Sequence, residues 1–192
     1  GHDSWINAVA MHPNGRWALT GGKDRTARLW NLETGACEAV LEGHSGPVTA
    51  VGFTDGHAWT AGRDGLVAQW STSGDRELQY TGYGEILELD ALGGTVGWVT
   101  EAGGAYVLTE PERVAELRAH TEAARALSID PASGRLATGG AGGRIHVYNG
   151  EQFESQVQIM GTDSPIWTMD CREGRLAEYE ADVAELDLVT AA

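Results

Sequence analysis

The 192-residue chain is poor in cysteine, in basic residues and in long apolar runs. Its two cysteines, Cys37 and Cys171, are too few for a disulfide framework and share no metal-ligand spacing. Thirteen basic residues against 28 acidic ones give a formal net charge of −15, which disfavours a phosphate backbone as a ligand. The longest apolar stretches span a few residues, far short of the roughly 20 that cross a bilayer. The composition therefore predicts neither a nucleic-acid partner nor a membrane partner.

The sequence shows no targeting signal and no cofactor motif. No signal peptide is visible, so we expect a cytoplasmic protein, and the first residue, Gly1, suggests a processed, tagged or excised segment. No His-x-His, Glu-x-x-His or Cys-x-x-Cys pattern occurs, so neither a metal nor another cofactor is predicted. Both cysteines fall in predicted strands, where we expect them to be small core residues.

What the sequence does contain is a repeat with a period of about forty residues. Three residue types recur at a spacing of 40 and in the same order: Thr20, Thr60 and Thr100, Asp24 and Asp64, Trp30 and Trp70. Aligned on them, the chain divides into five repeats: repeat 1 (1–42), repeat 2 (43–82), repeat 3 (83–119), repeat 4 (120–161) and an incomplete repeat 5 (162–192).

Each repeat contains short runs of Val, Ile, Leu, Trp and Ala separated by turn residues, which predicts about four strands. In repeat 1 these are Trp5–Met11, Trp17–Thr20, Thr26–Trp30 and Cys37–Leu41. Few of the runs alternate cleanly between apolar and polar, which predicts small sheets covered on both faces, as in a β-propeller. Residues 110–126 come closest to a helical period, but their register against the other repeats predicts strand, loop and strand.

The repeated pattern resembles the WD40 repeat: Gly-His, then a threonine, an aspartate four residues later and a tryptophan six beyond that. Repeats 1 and 2 carry it in full: Gly1-His2, Thr20, Asp24 and Trp30, then Gly43-His44, Thr60, Asp64 and Trp70. Repeat 4 keeps His120 and Thr138 but has Gly142 at the aspartate position and Tyr148 at the tryptophan position. The resemblance implies an all-β, WD40-type β-propeller with four full blades and a partial fifth.

The resemblance also implies a hydrogen-bonded chain inside each blade, here called the blade network. Its members are His2, Thr20, Asp24 and Trp30 in repeat 1, and His44, Thr60, Asp64 and Trp70 in repeat 2. A His–Asp–Thr set is also similar to a hydrolase triad, but an active site needs one copy and this set recurs at a fixed period. We therefore expect a structural role for these residues, and no catalytic residue.

The visible repeats do not complete a ring, because four blades and three further strands leave the fifth blade one strand short. The resemblance implies a larger ring of about seven blades. We expect the missing blades to come from a longer chain, with completion by a second copy or a partner as the next alternative and a five-blade ring as the last.

The resemblance implies that a partner binds mostly on the top rim of the propeller, and the repeat register locates that rim. The rim residues are Trp5, Asn7, Lys23, Thr49, Arg63, Arg125 and Trp167. Trp and Arg are frequent binding hot spots, and basic residues on an otherwise acidic protein suit an acidic or phosphorylated peptide. The alternative is that the two tryptophans pack between blades and that the basic residues are solvated turn residues.

The sequence therefore predicts a non-catalytic scaffold for protein–protein interaction within a multidomain or multisubunit intracellular assembly. One alternative is a purely architectural subunit of a large complex, which an apolar edge paired with another chain would favour. The other is an enzyme with a site in a missing portion, which a pocket of titratable groups with strongly shifted pKa values would favour.

Overall fold

The computed structural model describes residues 1–54, 56–110, 113–117, 120–130, 133–149, 155–160, 165–172, 175–179 and 184–187. For 109–110, 155–160 and every described residue from 168 onward, it describes the backbone alone. Within these ranges the chain forms nineteen strands and no helix, so none of the described residues builds a helix that could cross a membrane. The all-β prediction is confirmed. The chain consists of two compact units, 1–96 and 97–192.

The strands form five sheets, each built from strands that are consecutive in the chain. Sheet 1 contains β1 (Ile6–Met11), β2 (Trp17–Gly22), β3 (Ala27–Asn31) and β4 (Cys37–Leu41), and sheet 2 contains β5 (Val48–Thr54), β6 (His57–Gly62), β7 (Val67–Trp70) and β8 (Arg76–Tyr80). Sheet 3 contains β9 (Ile86–Leu92), β10 (Thr95–Thr100), β11 (Ala105–Glu110) and β12 (Arg113–Leu117). Sheet 4 contains β13 (Ala124–Ile129), β14 (Leu136–Gly140), β15 (Arg144–Tyr148) and β16 (Ser155–Met160), and the three-stranded sheet 5 contains β17 (Thr168–Arg172), β18 (Arg175–Tyr179) and β19 (Ala184–Asp187).

The predicted strands of repeat 1 match β1 to β4 within two residues at every end. The prediction for residues 110–126 is also confirmed, because β12 and the start of β13 flank a non-helical connection in the residues described there. The alignment of Thr100 with Thr20 and Thr60, which their spacing of 40 residues suggested, is wrong. The Gly103 N–H donates to the Thr100 carbonyl, as the Arg25 N–H does to Gly22, so Thr100 lies two positions beyond the place of Thr20.

In the first unit, β5 packs between β1 and β9, and its residues from Ala50 to Thr54 are all buried. The prediction of sheets covered on both faces therefore holds for β5, β6 and β7 of sheet 2, but not for its last strand β8, whose residues are exposed or half-buried. It is wrong for β1, where Ile6, Val9 and Met11 are 56, 69 and 61% exposed. The difference arises because β5 packs against β1 from one side, whereas no other described strand of the first unit packs closely against it from the opposite side.

The cysteine prediction is only partly right. Cys37 does lie in a strand, at the start of β4, but its side chain is exposed rather than in the core. The physical reason is that β4 is the last strand in the order of sheet 1, and its first two residues are exposed. Cys171 lies in β17, and its side chain is outside the part of the chain that the structure describes.

Candidate functional site

The blade network of repeat 1 joins the N-terminal segment to β2 and β3. His2 Nε2 lies 2.7 Å from Thr20 Oγ1, and Trp30 Nε1 donates to the same oxygen at 2.8 Å. Because an indole can only donate, the threonine oxygen accepts there and its proton is available for Nε2. This order assigns the imidazole proton to Nδ1, which lies 2.9 Å from the Asp24 carboxylate.

Repeat 2 repeats this geometry between the segment before β5 and strands β6 and β7. His44 Nε2 and Trp70 Nε1 both lie 2.9 Å from Thr60 Oγ1, and His44 Nδ1 lies 3.0 Å from Asp64. The His44 side chain is fully buried, and Thr60 is completely shielded from solvent. The same four side chains thus adopt the same order of contacts in two successive sheets.

Backbone N–H groups complete the surroundings of each network aspartate. Asp24 accepts from the N–H of Asp3 at 2.9 Å and from that of Thr26 at 3.1 Å. Although burial alone would raise the pKa of Asp24, the hydrogen bonds from Asp3, His2 and Thr26 lower this pKa to about 2. An ionised carboxylate held by so many donors is a poor general base, because its protonated form is strongly disfavoured.

The pKa of Asp64 is lowered in the same way. Burial opposes ionisation, but His44 and the N–H groups of Ser45 and Leu66 outweigh it.

A glycine beneath each network histidine was not predicted from the sequence. A Cβ built on Gly22 would lie 2.6 Å from His2 Nδ1, and one on Gly62 would lie 2.7 Å from His44 Nδ1. Gly140 has the same relation to His120. The signal is visible in the sequence as a glycine two residues after each network threonine: Thr20 and Gly22, Thr60 and Gly62, Thr138 and Gly140.

Repeat 4 keeps part of the network. His120 Nε2 lies 3.0 Å from Thr138 Oγ1, and the Tyr148 hydroxyl bonds the same side chain in place of the tryptophan. Gly142 supplies no carboxylate, and the ring of His146 lies edge-on to that of His120, with 4.8 Å between their centroids. Burial above all, then His146 and Arg144, lowers the pKa of His120 to about 4, so this imidazole is neutral at pH 7.

Two of the rim residues in the first unit form a cation–aromatic pair. Trp5 is 78% exposed, and the Lys23 ammonium lies 5.4 Å from its ring centroid. The Lys23 N–H donates to the Trp5 carbonyl at 2.8 Å, just as the Arg63 N–H donates to Pro47 at 3.0 Å. Lys23 and Arg63 are therefore equivalent positions of successive repeats.

Asn7 and Thr49 join successive sheets rather than standing free. Asn7 Nδ2 donates to the carbonyl of Val48 at 2.9 Å, which links β1 to β5. Thr49 Oγ1 donates to the carbonyl of Ile86 at 2.7 Å, which links β5 to β9. Since these polar groups are already engaged within the chain, they have less to offer a partner than Trp5 and Lys23.

The second unit holds the other two rim residues, which form a pair of their own. The Arg125 guanidinium lies 4.6 Å from the ring centroid of Trp167, which is 61% exposed. Both rim arginines lie near a carboxylate of their own unit: Arg125 is 3.9 Å from Glu101, and Arg63 is 3.9 Å from Glu85. Within the described residues, no group of three His, Cys, Asp or Glu side chains is placed to hold a metal ion.

Comparison with known proteins identifies the repeat. The family model described as "WD domain, G-beta repeat" matches residues 1–31, 35–71 and 111–149, which is more than half of the chain. The chain belongs to the WD40-repeat family. The matches cover repeats 1 and 2, with their complete blade networks, and the partial network of repeat 4.

Curated relatives are WD-repeat proteins much longer than this chain. The nuclear distribution protein PAC1 of Scheffersomyces stipitis is 41% identical over 59 residues, which is 28% of this chain and 11% of that protein. The DENN domain and WD repeat-containing protein SCD1 of Arabidopsis thaliana is 39% identical over 72 residues, 36% of this chain and 6% of that protein. The human WD repeat-containing protein 86 is 42% identical over 59 residues, covering 31% and 16% of the two chains.

Solved structures support the same fold at low identity. The crystal structure of the RRP9 WD40 repeats and the structure of U3-55K each match with a TM-score of 0.82 and 15% identity. Each match covers 93% of this chain and 60% of the solved chain. The fold is therefore that of a WD40 β-propeller, a family that generally provides scaffolds for protein interaction.

Proposed function

We propose that this chain is a non-catalytic platform on which a protein or peptide binds at the exposed tryptophan–cation pairs. The observation that carries the proposal is that Trp5 and Trp167 both present most of their ring to solvent, each with a cation held over it. A large aromatic ring with an adjacent cation offers apolar area, a hydrogen-bond donor and charge at one place, as binding hot spots do.

The charge around the pairs supports an acidic or phosphorylated group on the partner. Arg63 and Arg125 each lie near a glutamate, which offsets part of their charge. Lys23 has no carboxylate within ion-pair distance among the residues the structure describes. We therefore expect the acidic group of the partner to be bound at Trp5 and Lys23.

The non-catalytic part of the proposal is supported by the blade networks. Both His–Asp–Thr sets are engaged with a tryptophan and with backbone N–H groups of their own repeat. The cytoplasmic location is also a proposal, supported by the exposure of Cys37, because an accessible thiol is kept reduced in that compartment.

A purely architectural role is the second candidate, and the exposed apolar side chains of β1 favour it. Ile6, Val9 and Met11 would be covered if a further blade, from a longer chain, a second copy or a partner, packed against β1. The match covers 60% of the solved WD40 structures and between 6 and 19% of the curated relatives, so such blades are available in proteins of this family.

The experiment is a peptide-array measurement with matched acidic, phosphoserine and basic peptides. We expect the acidic and phosphorylated peptides to bind, and Trp5→Ala, Arg63→Ala and Trp167→Ala to weaken binding, the tryptophan changes by about tenfold. Leu32→Ala is the control, because Leu32 is also an exposed apolar side chain but lies beyond β3, outside the rim residues. Unfolding of the rim variants, or equal binding of basic peptides, would contradict the proposal.

A further inference from the structure

Repeat 4 preserves the turn that carries the network aspartate although the aspartate itself is replaced by Gly142. The Gly143 N–H donates to the Gly140 carbonyl at 3.1 Å, as Gly65 does to Gly62 at 3.1 Å in repeat 2. Gly143 has a φ of 69° and Gly65 one of 74°, so both turns place the same position in the left-handed region. The backbone around Gly142 thus retains the shape of an aspartate site.

The donors that surround that site are known from the two complete networks. In repeat 2, Asp64 accepts from His44 Nδ1 at 3.0 Å, from the Ser45 N–H at 2.7 Å and from the Leu66 N–H at 3.2 Å. Repeat 1 arranges the corresponding three donors around Asp24. A carboxylate is therefore the group that this set of donors accommodates.

The corresponding positions in repeat 4 are His120, Thr121 and Arg144. Among the described residues, Thr138 alone hydrogen-bonds the His120 ring, through its hydroxyl and its backbone, and none accepts from the Thr121 N–H. His120 Nε2 is engaged with Thr138, which in turn bonds Tyr148. Because a tyrosine hydroxyl can donate or accept, these contacts leave both tautomers open, and a carboxylate beside Nδ1 would select the one that carries its proton there.

A cavity of about 90 Å³ occupies the place of the aspartate side chain. It is lined by His120, Thr121, Glu122, Gly142 and Arg144. Since one water molecule takes up about 30 Å³ in the liquid, the cavity has room for a carboxylate group. Arg144 brings positive charge to the cavity, whereas the Glu122 carboxylate, 3.4 Å from a Cβ built on Gly142, reduces it.

We propose that this cavity binds a carboxylate supplied from outside the repeat, which completes the blade network of repeat 4 in place of the missing aspartate. His120 Nδ1 and the Thr121 N–H donate to its oxygens, and Arg144 attracts its charge. The carboxylate belongs either to a small free acid or to an acidic side chain of a bound peptide.

The test uses acetate as the probe and the imidazole signals of His120 in NMR spectra as the readout, on the whole chain at pH 7 and constant ionic strength set with chloride. We expect a saturable shift of the His120 signals and a rise in the pKa of His120 from its low value, with His146, Arg144 and Glu122 as the other charged or titratable groups of the cavity. Glu122→Gln should tighten acetate binding, because it removes the opposing charge.

Gly142→Asp is the decisive variant, because it supplies the carboxylate within the repeat. Gly142 has no left-handed φ, and the nearest atom to an added Cβ is at ordinary contact distance, so the aspartate is sterically allowed. We expect Gly142→Asp to abolish the acetate-dependent shift and to raise Tm by about 3 °C. Gly142→Ala is the matched control, in which the cavity keeps its donors and the acetate shift persists.

The source of the carboxylate is resolved by a second probe, a blocked tripeptide with a central aspartate compared with its asparagine counterpart. Saturation by the aspartate peptide at a concentration at least about tenfold below that of acetate assigns the site to an acidic side chain of a partner. Saturation by acetate with no gain for the peptide assigns it to a free carboxylate. No acetate-dependent shift at His120, a shift that chloride reproduces, or a Gly142→Asp variant that melts below the wild type would overturn the proposal.

Discussion

Repeats 1 and 2 contain the same hydrogen-bonded side chains, but the first strands of their sheets lie in different surroundings. Val9 in β1 pairs with Thr20, and Val51 in β5 pairs with Thr60, so the two valines occupy the same position. Val9 is 69% exposed and Val51 is 7% exposed. The repeat sequence thus specifies the network, whereas the neighbouring strands decide how much each residue is buried.

The difference in burial extends to the networks themselves. Thr60 and Trp70 are 0 and 2% exposed, whereas Thr20 and Trp30 are only partly buried. An unpaired polar group costs more when water cannot replace the lost partner. The same substitution should therefore cost more in repeat 2 than in repeat 1.

The largest loss of stability is expected when a network aspartate is replaced. Asp64→Ala leaves His44 Nδ1 and the N–H groups of Ser45 and Leu66 without their acceptor, and we expect a loss of about 4 kcal/mol in the free energy of unfolding. Asp24→Ala should cost less, about 3 kcal/mol, because Thr20 and Trp30 of its network are only partly buried, although the Asp24 side chain is nearly as shielded as that of Asp64. Urea denaturation measures both.

Asp3→Ala is the control for this comparison, because Asp3 is exposed and contributes its backbone N–H to Asp24 rather than its carboxylate. We expect its effect to stay within about 0.5 kcal/mol. If Asp64→Ala and Asp24→Ala lowered the free energy of unfolding equally, the packing of β9 against sheet 2 would not strengthen the network of repeat 2.

The strand that covers repeat 2, β9, also carries a partly buried carboxylate, that of Glu88. Burial, then the charge of Asp90, raises the pKa of Glu88 in β9 from 4.5 to about 7. The native state therefore keeps this proton to a higher pH than the unfolded chain does. The contribution of Glu88 to the free energy of unfolding is therefore greatest below about pH 4.5. It falls by about 3 kcal/mol as the pH rises to 7.

Glu88→Gln should remove that dependence. Thermal melting at pH 5 and pH 8 is expected to show a gain in Tm for the variant at pH 8 and little change at pH 5. Glu85→Gln is the control, because its carboxylate is half exposed and should shift neither value appreciably. If the wild type and Glu88→Gln lost the same stability between pH 5 and pH 8, the Glu88 carboxylate would not be the cause of the pH dependence.

The fold and the blade networks could be predicted because their signals are local and repeated. His, Thr, Asp and Trp recur in phase, which reveals the resemblance to the WD40 repeat, and that resemblance implies the contacts of Thr20 with His2 and Trp30. Donor and acceptor chemistry agrees with it, since each residue type supplies a group that the others need. The glycine two residues after each network threonine could be predicted in the same way, since it recurs at the same position of each of these repeats.

The rest depends on the lengths of connections and on distant neighbours. Thr100 keeps the 40-residue spacing by coincidence, because repeat 3 is shifted by two residues at that point. The exposure of Val9 depends on which strand packs against β1, and the bond from Asn7 to the Val48 carbonyl depends on how two sheets meet. None of these three features leaves a pattern within its own repeat.

The smallest expected effect uses the matched valines directly. Val51→Ala removes buried apolar area among Leu19, Phe53 and the rest of the core of the first unit, and should cost about 2 kcal/mol. Val9→Ala should cost less than about 0.5 kcal/mol, because the Val9 side chain remains mostly in water. Urea denaturation of the two variants measures both costs, and because each variant replaces a valine by an alanine, only the burial of the position differs.

This pair also distinguishes the two proposed roles of β1. If β1 is an open surface of a binding platform, the difference of about 1.5 kcal/mol between the two variants persists at every protein concentration. If a second copy covers Ile6, Val9 and Met11, burial of Val9 grows with association, and its cost approaches that of Val51 as the concentration rises. A Val9→Ala penalty equal to that of Val51→Ala in dilute solution would contradict the exposed position of β1, because only buried methyl groups carry a cost of this size.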